Sequence, residues 1–370
     1  MVYEVYSMKR RILVCKNVVT MRYLKIYSCF YYLLSFLSSN AQQPTIQLLA
    51  SGKKVSLRGL SVVTDNIIWA SGSNGSVARS VDGGNTFTWL PVIGYEKTDF
   101  RDIEAFDKNT AIIMGITEPA ILLKTTDGGK IWRKIFEDTT KGAFFDAMDF
   151  SIDDNKDITG IVIGDPIKGK IYYAISFNGG DSWQAPEDVG KIIPTVTDGE
   201  AFFASSGTNI SLVNDAGFKP FLYAVSGGKS SNLWDLYYWK KYPLPIVQGQ
   251  ESTGANSLAR TLDKKHGIVV GGDFKNDTIS KNNSLLISFE PEITFSIPQT
   301  PPHGYRSCVI YMNKKTLLTC GTSGIDISKD GGMNWELISK ESYHVCQKAK
   351  KGKAIFLAGG NGRIAKLVIP

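Results

Sequence analysis

Histidine and cysteine are scarce in this sequence, with three and five copies among 370 residues. His266, His303 and His344 lie far apart, and no Cys-x-x-Cys pair or His-Cys cluster occurs. The ligand sets of zinc sites are therefore missing, and neither a metal nor a cofactor is expected. Beyond the first 41 residues only Cys308, Cys320 and Cys346 remain, an odd number that leaves at least one without an intramolecular partner. Burial as small apolar side chains is the expected state of all three, and their pairing stays open. No dinucleotide fingerprint is present, and Gly227-Gly228-Lys229-Ser230 lacks the earlier glycine and the following helix of a phosphate loop. After about residue 45 there is no long amphipathic helical pattern and no run of transmembrane length. What is abundant is glycine, at 36 residues, with 11% aromatics, which suits short strands joined by tight turns. The composition points to an all-β fold.

The N-terminal 41 residues differ in kind. A basic start, Met21-Arg22-Tyr23-Leu24-Lys25, precedes the uncharged run Ile26 to Leu37, and Ser39-Asn40-Ala41 supplies small residues before Gln42. This is the three-part form of an export signal, starting at Met21 and removed on secretion to a periplasmic, envelope or extracellular destination. The same segment carries Lys9, Arg10, Arg11, Lys16, Arg22 and Lys25 against Glu4. The formal net charge of +7 therefore falls to +2 in residues 42–370, and a nucleic-acid partner is not expected.

Four segments of the remaining single domain share one pattern. They are Ser80-Val-Asp82-Gly-Gly84-Asn-Thr-Phe87, Thr125-Thr-Asp127-Gly-Gly129-Lys-Ile-Trp132, Ser176-Phe-Asn178-Gly-Gly180-Asp-Ser-Trp183 and Ser328-Lys-Asp330-Gly-Gly332-Met-Asn-Trp335. This is the Asp box. Asp-Gly-Gly tolerates the positive φ of a tight reversal, the acid accepts hydrogen bonds from the turn's own N–H groups, and the hydroxyl locks the approach. Folding alone explains each element, and Asn178 shows that the charge is dispensable.

Box starts at 80, 125 and 176 are 45 and 51 residues apart, and the next start, 328, lies 152 residues on, about three such periods. That period is one four-stranded propeller blade. Pairing each inner strand with a following glycine-ended strand gives seven antiparallel blades with inner strands opening near Leu57, Phe100, Phe145, Glu200, Asn256, Tyr305 and His344. The last blade ends with three strands, so Thr45 to Val55 is expected to supply its fourth and close the ring, removing an open edge.

That register places Arg58, Arg101 and Arg306 at the starts of inner strands, around one mouth of the central channel, with Glu200, Asn256 and His344 at equivalent positions. Arginine grasps carboxylates or phosphates with two prongs, and the competing expectation is pairing with Asp102 or Glu200. Ser226 to Pro243 concentrates two Trp and three Tyr, either as an exposed binding surface or as the outer strands of blade four. Asp165 and Asp273 end second strands, where paired acids would suit glycoside hydrolysis.

The four boxes, their spacing and the leader resemble the photosystem II stability/assembly factor-like family of Asp-box propellers, across roughly residues 45–370. The resemblance implies an exported, seven-bladed assembly or interaction factor whose arginines (here Arg58, Arg101 and Arg306) contact a partner. A monomeric, non-enzymatic scaffold for a protein of the membrane or envelope is the expectation for this chain. Sialidases also carry Asp boxes, and resemblance to them implies an enzyme acting on extracellular glycans. They use an arginine triad and a tyrosine nucleophile, for which Tyr305 beside Arg306 is suggestive; their Arg-Ile-Pro motif is absent, Arg58 being followed by Gly59-Leu60.

Overall fold

The computed structural model describes residues 43–184, 194–213 and 220–370; the expected export leader, residues 1–41, lies outside them. Pro44–Ile369 form one compact unit of short antiparallel strands, arranged as a seven-bladed propeller. Among the described residues the only helical turn is Gly360–Gly362.

Blade one runs Leu57–Val62, Ile68–Gly72, Ser76–Ser80 and Thr88–Pro91, and blade two Phe100–Ala105, Ala111–Gly115, Ala120–Thr125 and Arg133–Asp138. Blade three has Ala147–Ile152, Ile158–Ile167 and Lys170–Ser176, with Gln184 bridging to Ile175 on its outer edge. Blades five and six open with Thr253–Arg260 and Cys308–Tyr311, and blade seven with Val345–Lys348. The second strands of blades one, two, six and seven are wholly buried between neighbouring sheets, which is why runs such as Ala111–Gly115 read as continuous apolar stretches rather than alternations.

The ring closes as expected. Thr45–Ala50 lies on the outer edge of blade seven, pairing Thr45 with Val368, Ile46 with Leu367 and Leu48 with Ala365. Ile46 and Leu49 also pack on the core shared by blades six, seven and one. Deleting residues 43–50 is expected to destabilise the whole ring by about 2–3 kcal/mol, from lost ladder bonds and packing. Thermal unfolding checks this; an unchanged midpoint would contradict closure by this strand.

The four repeated turns share one geometry. Gly84, Gly129, Gly180 and Gly332 each donate a backbone N–H to the Ser or Thr hydroxyl four residues earlier, at 2.9–3.0 Å. Asp82, Asp127, Asn178 and Asp330 each accept from the N–H four residues on. The second glycine of each turn also faces the preceding blade. A Cβ on Gly180 would stand 2.2 Å from Ile112 Cδ1, and one on Gly332 2.8 Å from Ile268 Cδ1. These turns therefore fasten blade to blade as well as reversing the chain.

Blade four departs from the expected register. Its inner strand is Ile210–Val213, followed by Phe221–Val225, Asn232–Asp235 and Lys240–Pro243. Glu200-Ala201 is instead a two-residue strand paired with Gly227-Gly228, which joins the edge of blade five. The reason is a buried polar cluster: the Glu200 carboxylate accepts hydrogen bonds from Asn232 Nδ2 at 2.8 Å and Trp234 Nε1 at 2.9 Å, besides Ser226 Oγ. A carboxylate so satisfied binds its segment to the outer strands rather than to the channel. The aromatic segment after Ser226 supplies those outer strands, with Trp234 and Trp239 buried and Tyr237 and Tyr238 at the surface.

Candidate functional site

Inner strands of blades one, two, five, six and seven begin around one end of the propeller axis, where a cavity of about 430 Å³ opens. Arg58, Arg101, Asn256 and His344 line it together, as their shared register requires. Tyr305, Ser307 and Thr322 complete the polar wall, and Phe203 and Phe274 form an apolar one. Phe274 packs edge-on against Phe203 and Tyr305, with ring centroids 6.1 and 6.3 Å apart, and is 44% exposed.

Two expected members are elsewhere. Arg306 is fully buried behind the cavity wall. Its Nε and Nη2 clasp Asp326 Oδ2, while Nη1 donates to the Tyr305 carbonyl at 2.8 Å and to Ser323 Oγ at 2.7 Å. Four of its five N–H groups are taken by partners within blade six, so it holds that blade together instead of facing a ligand. Glu200 is withdrawn into the contacts with Asn232 and Trp234 described above. The arginine triad that a sialidase would require is consequently not assembled at this mouth. Asp165 and Asp273 do not converge either: Asp165 accepts from the Phe202 N–H, and Asp273 caps the turn at Lys275 and Asn276.

The segment Phe202–Asn209 was not foreseen. It runs into the channel and lies between the cavities at its two ends. Ser206 Oγ donates to the Ser307 carbonyl at 2.6 Å, and Thr208 Oγ1 meets Ser257 Oγ at 2.7 Å. Gly207 faces Asp102 so closely that a Cβ there would lie 2.3 Å from the carboxyl carbon. Asp102 itself accepts from the N–H groups of Ile103 and Met148, both at 2.8 Å. The only hint in the sequence was a run of small polar residues, Ser205-Ser206-Gly207-Thr208-Asn209, in place of an apolar strand.

The two arginines of the mouth touch this plug. Arg58 Nη1 donates to the Ser205 carbonyl at 3.2 Å, and Arg101 Nη1 to the Ala204 carbonyl at 3.4 Å. Both contacts are long, and neutral carbonyls are weak partners for guanidinium groups. Asp99 stands 3.5 Å from Arg101. Among the described residues Arg101 Nε and Thr322 Oγ1 are buried without a hydrogen-bond partner. Burial, and then the charge of Arg101, lower the Arg58 pKa. Burial, followed by the charges of Arg58, Arg363 and Arg101, pushes His344 down to about 3, so its imidazole is neutral. Burial holds the Tyr305 phenol up at about 12, and its hydroxyl donates to Asn256 Oδ1 at 2.8 Å. The mouth thus carries two cations, several neutral hydrogen-bonding groups and an apolar wall. That arrangement attracts an anion carried on a partly apolar ligand.

The opposite mouth is a cavity of about 550 Å³ between Arg260, Tyr311, Lys348 and Lys350, with Asp149 on its floor. Burial raises the Asp149 carboxyl to about 7, against hydrogen bonds from the Leu212 and Phe150 N–H groups. A folded-state pKa above the unfolded one makes the native state bind the extra proton. The stabilisation is full below about pH 4 and fades as pH rises to about 7, with a slope of at most ~1.4 kcal/mol per pH unit. Asp149→Asn is expected to flatten that decline, read from denaturant midpoints at pH 5, 6 and 7; a variant as steep as the parent would place the titrating group elsewhere. Among the described residues no group of three or more His, Cys, Asp or Glu side chains is placed to hold a metal.

No family model matches the sequence, and no curated protein does. Solved structures share the fold. A YCF48 protein bound to a D1 peptide is 16% identical with a TM-score of 0.60, over 90% of this chain and 97% of its own. YCF48 from Cyanidioschyzon merolae is 17% identical with a TM-score of 0.59, over 87% and 98%. The GH74 enzyme of Niastella koreensis is 14% identical with a TM-score of 0.59, and this chain spans 53% of its length. The likeness at these identities is one of fold, and the seven-bladed propeller of the YCF48 structures is the architecture that the sequence resemblance implied.

Proposed function

We propose that this chain is an exported binding or assembly scaffold, acting on a membrane or envelope protein through the arginine mouth of its propeller. The observation that carries the reading is the convergence of Arg58 and Arg101 on one aromatic-walled cavity, where a buried Arg101 donor has no partner. The ligand is a peptide carboxylate, terminal or side-chain, with an apolar residue beside it: the carboxylate takes the guanidinium donors and the apolar group packs on Phe203 and Phe274. A YCF48 structure of the same fold holds a peptide, which supports a protein partner. The monomeric propeller acts without cofactor.

The test is calorimetric titration with short peptides that carry a carboxylate next to a large apolar residue. Amidating the carboxylate is expected to remove binding. Equal affinity for the amide, or turnover of a sialoside or glucan panel by the parent chain, would replace this reading with another.

A further inference from the structure

Cys308, Cys320 and Cys346 are fully buried free thiols gathered in the core between blades six and seven. Cys308 follows Ser307, and Cys346 lies two residues after His344, so both sit one step inside the mouth on adjoining inner strands. Their sulfurs are 3.7 Å apart. Cys308 Sγ also rests against the Cys346 backbone, 3.4 Å from its nitrogen and 3.3 Å from its oxygen. Cys320 stands opposite Cys308 on the second strand of the same blade. Above the pair, Ser307 Oγ donates to the His344 carbonyl at 2.6 Å, a polar link between the two blades at the rim.

We propose that Cys308 and Cys346 are a disulfide-forming pair that staples blade six to blade seven beneath the mouth, leaving Cys320 as the spare thiol. Sulfurs 3.7 Å apart come within bonding reach when the two side chains rotate toward each other. The oxidant is a low-molecular-weight disulfide. One cysteine thiolate attacks a sulfur of the donor, forms a mixed disulfide and expels one thiolate. The second cysteine then attacks the first, forms the protein disulfide and expels the other. Two protein thiols lose two protons and two electrons, and the donor becomes two thiols. Burial pushes the Cys308 thiol up, but hydrogen bonds from the Cys320 and Cys346 thiols outweigh it and draw it down, which favours Cys308 as the attacking group. Full burial restricts the reaction to folding or to local opening, and the closed bond would thereafter be shielded. The staple spans 38 residues and joins blade seven, the blade that closes the ring, to its neighbour.

The experiment refolds the full chain, with Cys15 and Cys29 replaced by serine, in oxidised and reduced glutathione. Non-reducing proteolysis and mass spectrometry then locate any linked peptides. The expected result is a Cys308–Cys346 linkage, retained in Cys320→Ser and absent from Cys346→Ser. Oxidation is also expected to raise the unfolding midpoint by roughly 5 °C in the parent and not in Cys346→Ser. Linkage through Cys320, or three alkylatable thiols after oxidative refolding, overturns the proposal. Neither result depends on what the mouth binds.

Discussion

Replacing Arg58 and Arg101 together by alanine is expected to weaken binding of a carboxylate-bearing peptide by about 100-fold or more, with the propeller still folded. A hydrogen bond to a charged group contributes about 1.5–3 kcal/mol, so losing two guanidinium partners accounts for a change of that size. The folded state should tolerate the loss. Both arginines donate to neutral plug carbonyls at 3.2–3.4 Å, and both lie partly exposed at a mouth where water can replace them. The single variants are expected to differ. Arg101 brings a buried Nε with no partner, so a ligand that reaches it gains a bond the free protein lacks. Arg58 has no such orphaned donor among the described residues, so Arg101→Ala should cost more than Arg58→Ala. Lysine at either position should rescue poorly, because a point charge cannot reproduce the planar fork. Titration at two salt concentrations checks the charge component. Unchanged affinity in the double variant would remove the mouth as the binding site. Loss of the cooperative unfolding transition would show instead that the arginines hold the plug.

The repeated turns made the fold legible because each is a complete local device: hydroxyl, acid and paired glycines fall at fixed offsets and need no distant partner. Ring closure was legible for a different reason, since one blade lacked a strand and one strand lacked a blade. The site was only half legible. Arg58, Arg101, Asn256 and His344 share the strand register and do meet at the mouth. Glu200 carries the same offset, but its partners Asn232 and Trp234 are more than thirty residues away, and they pull it off the axis. Phe203 and Phe274 were missed because neither belongs to an inner strand; one lies on the plug and the other in the loop after His266–Asp273. A plug inside the channel leaves no periodic signature, since its hydrogen-bond partners come from six different blades.

Arg306 shows how far register can mislead, and it sets the second large expectation: Asp326→Ala should destabilise the propeller by about 3–5 kcal/mol. Both side chains are fully buried. Asp326 accepts Arg306 through one oxygen, and its other lies 2.6 Å from His303 Nδ1. Alanine removes every one of these acceptors and leaves a guanidinium without its counter-charge inside the protein, at 0% exposure. The cost of that orphaned charge exceeds what the pair contributes, because desolvating two ions offsets most of their attraction. A specific pattern follows. Arg306→Met paired with Asp326→Leu should recover most of the loss, as no buried charge then remains, and the non-additivity should exceed 1 kcal/mol by the usual double-mutant comparison. Asp326→Asn should fall between, keeping an acceptor for one partner while forfeiting the charge. Denaturant midpoints of the parent, Asp326→Ala, Asp326→Asn, Arg306→Met, Asp326→Leu and the double variant test this directly. A cost below about 1 kcal/mol for Asp326→Ala would mean that Arg306 finds water.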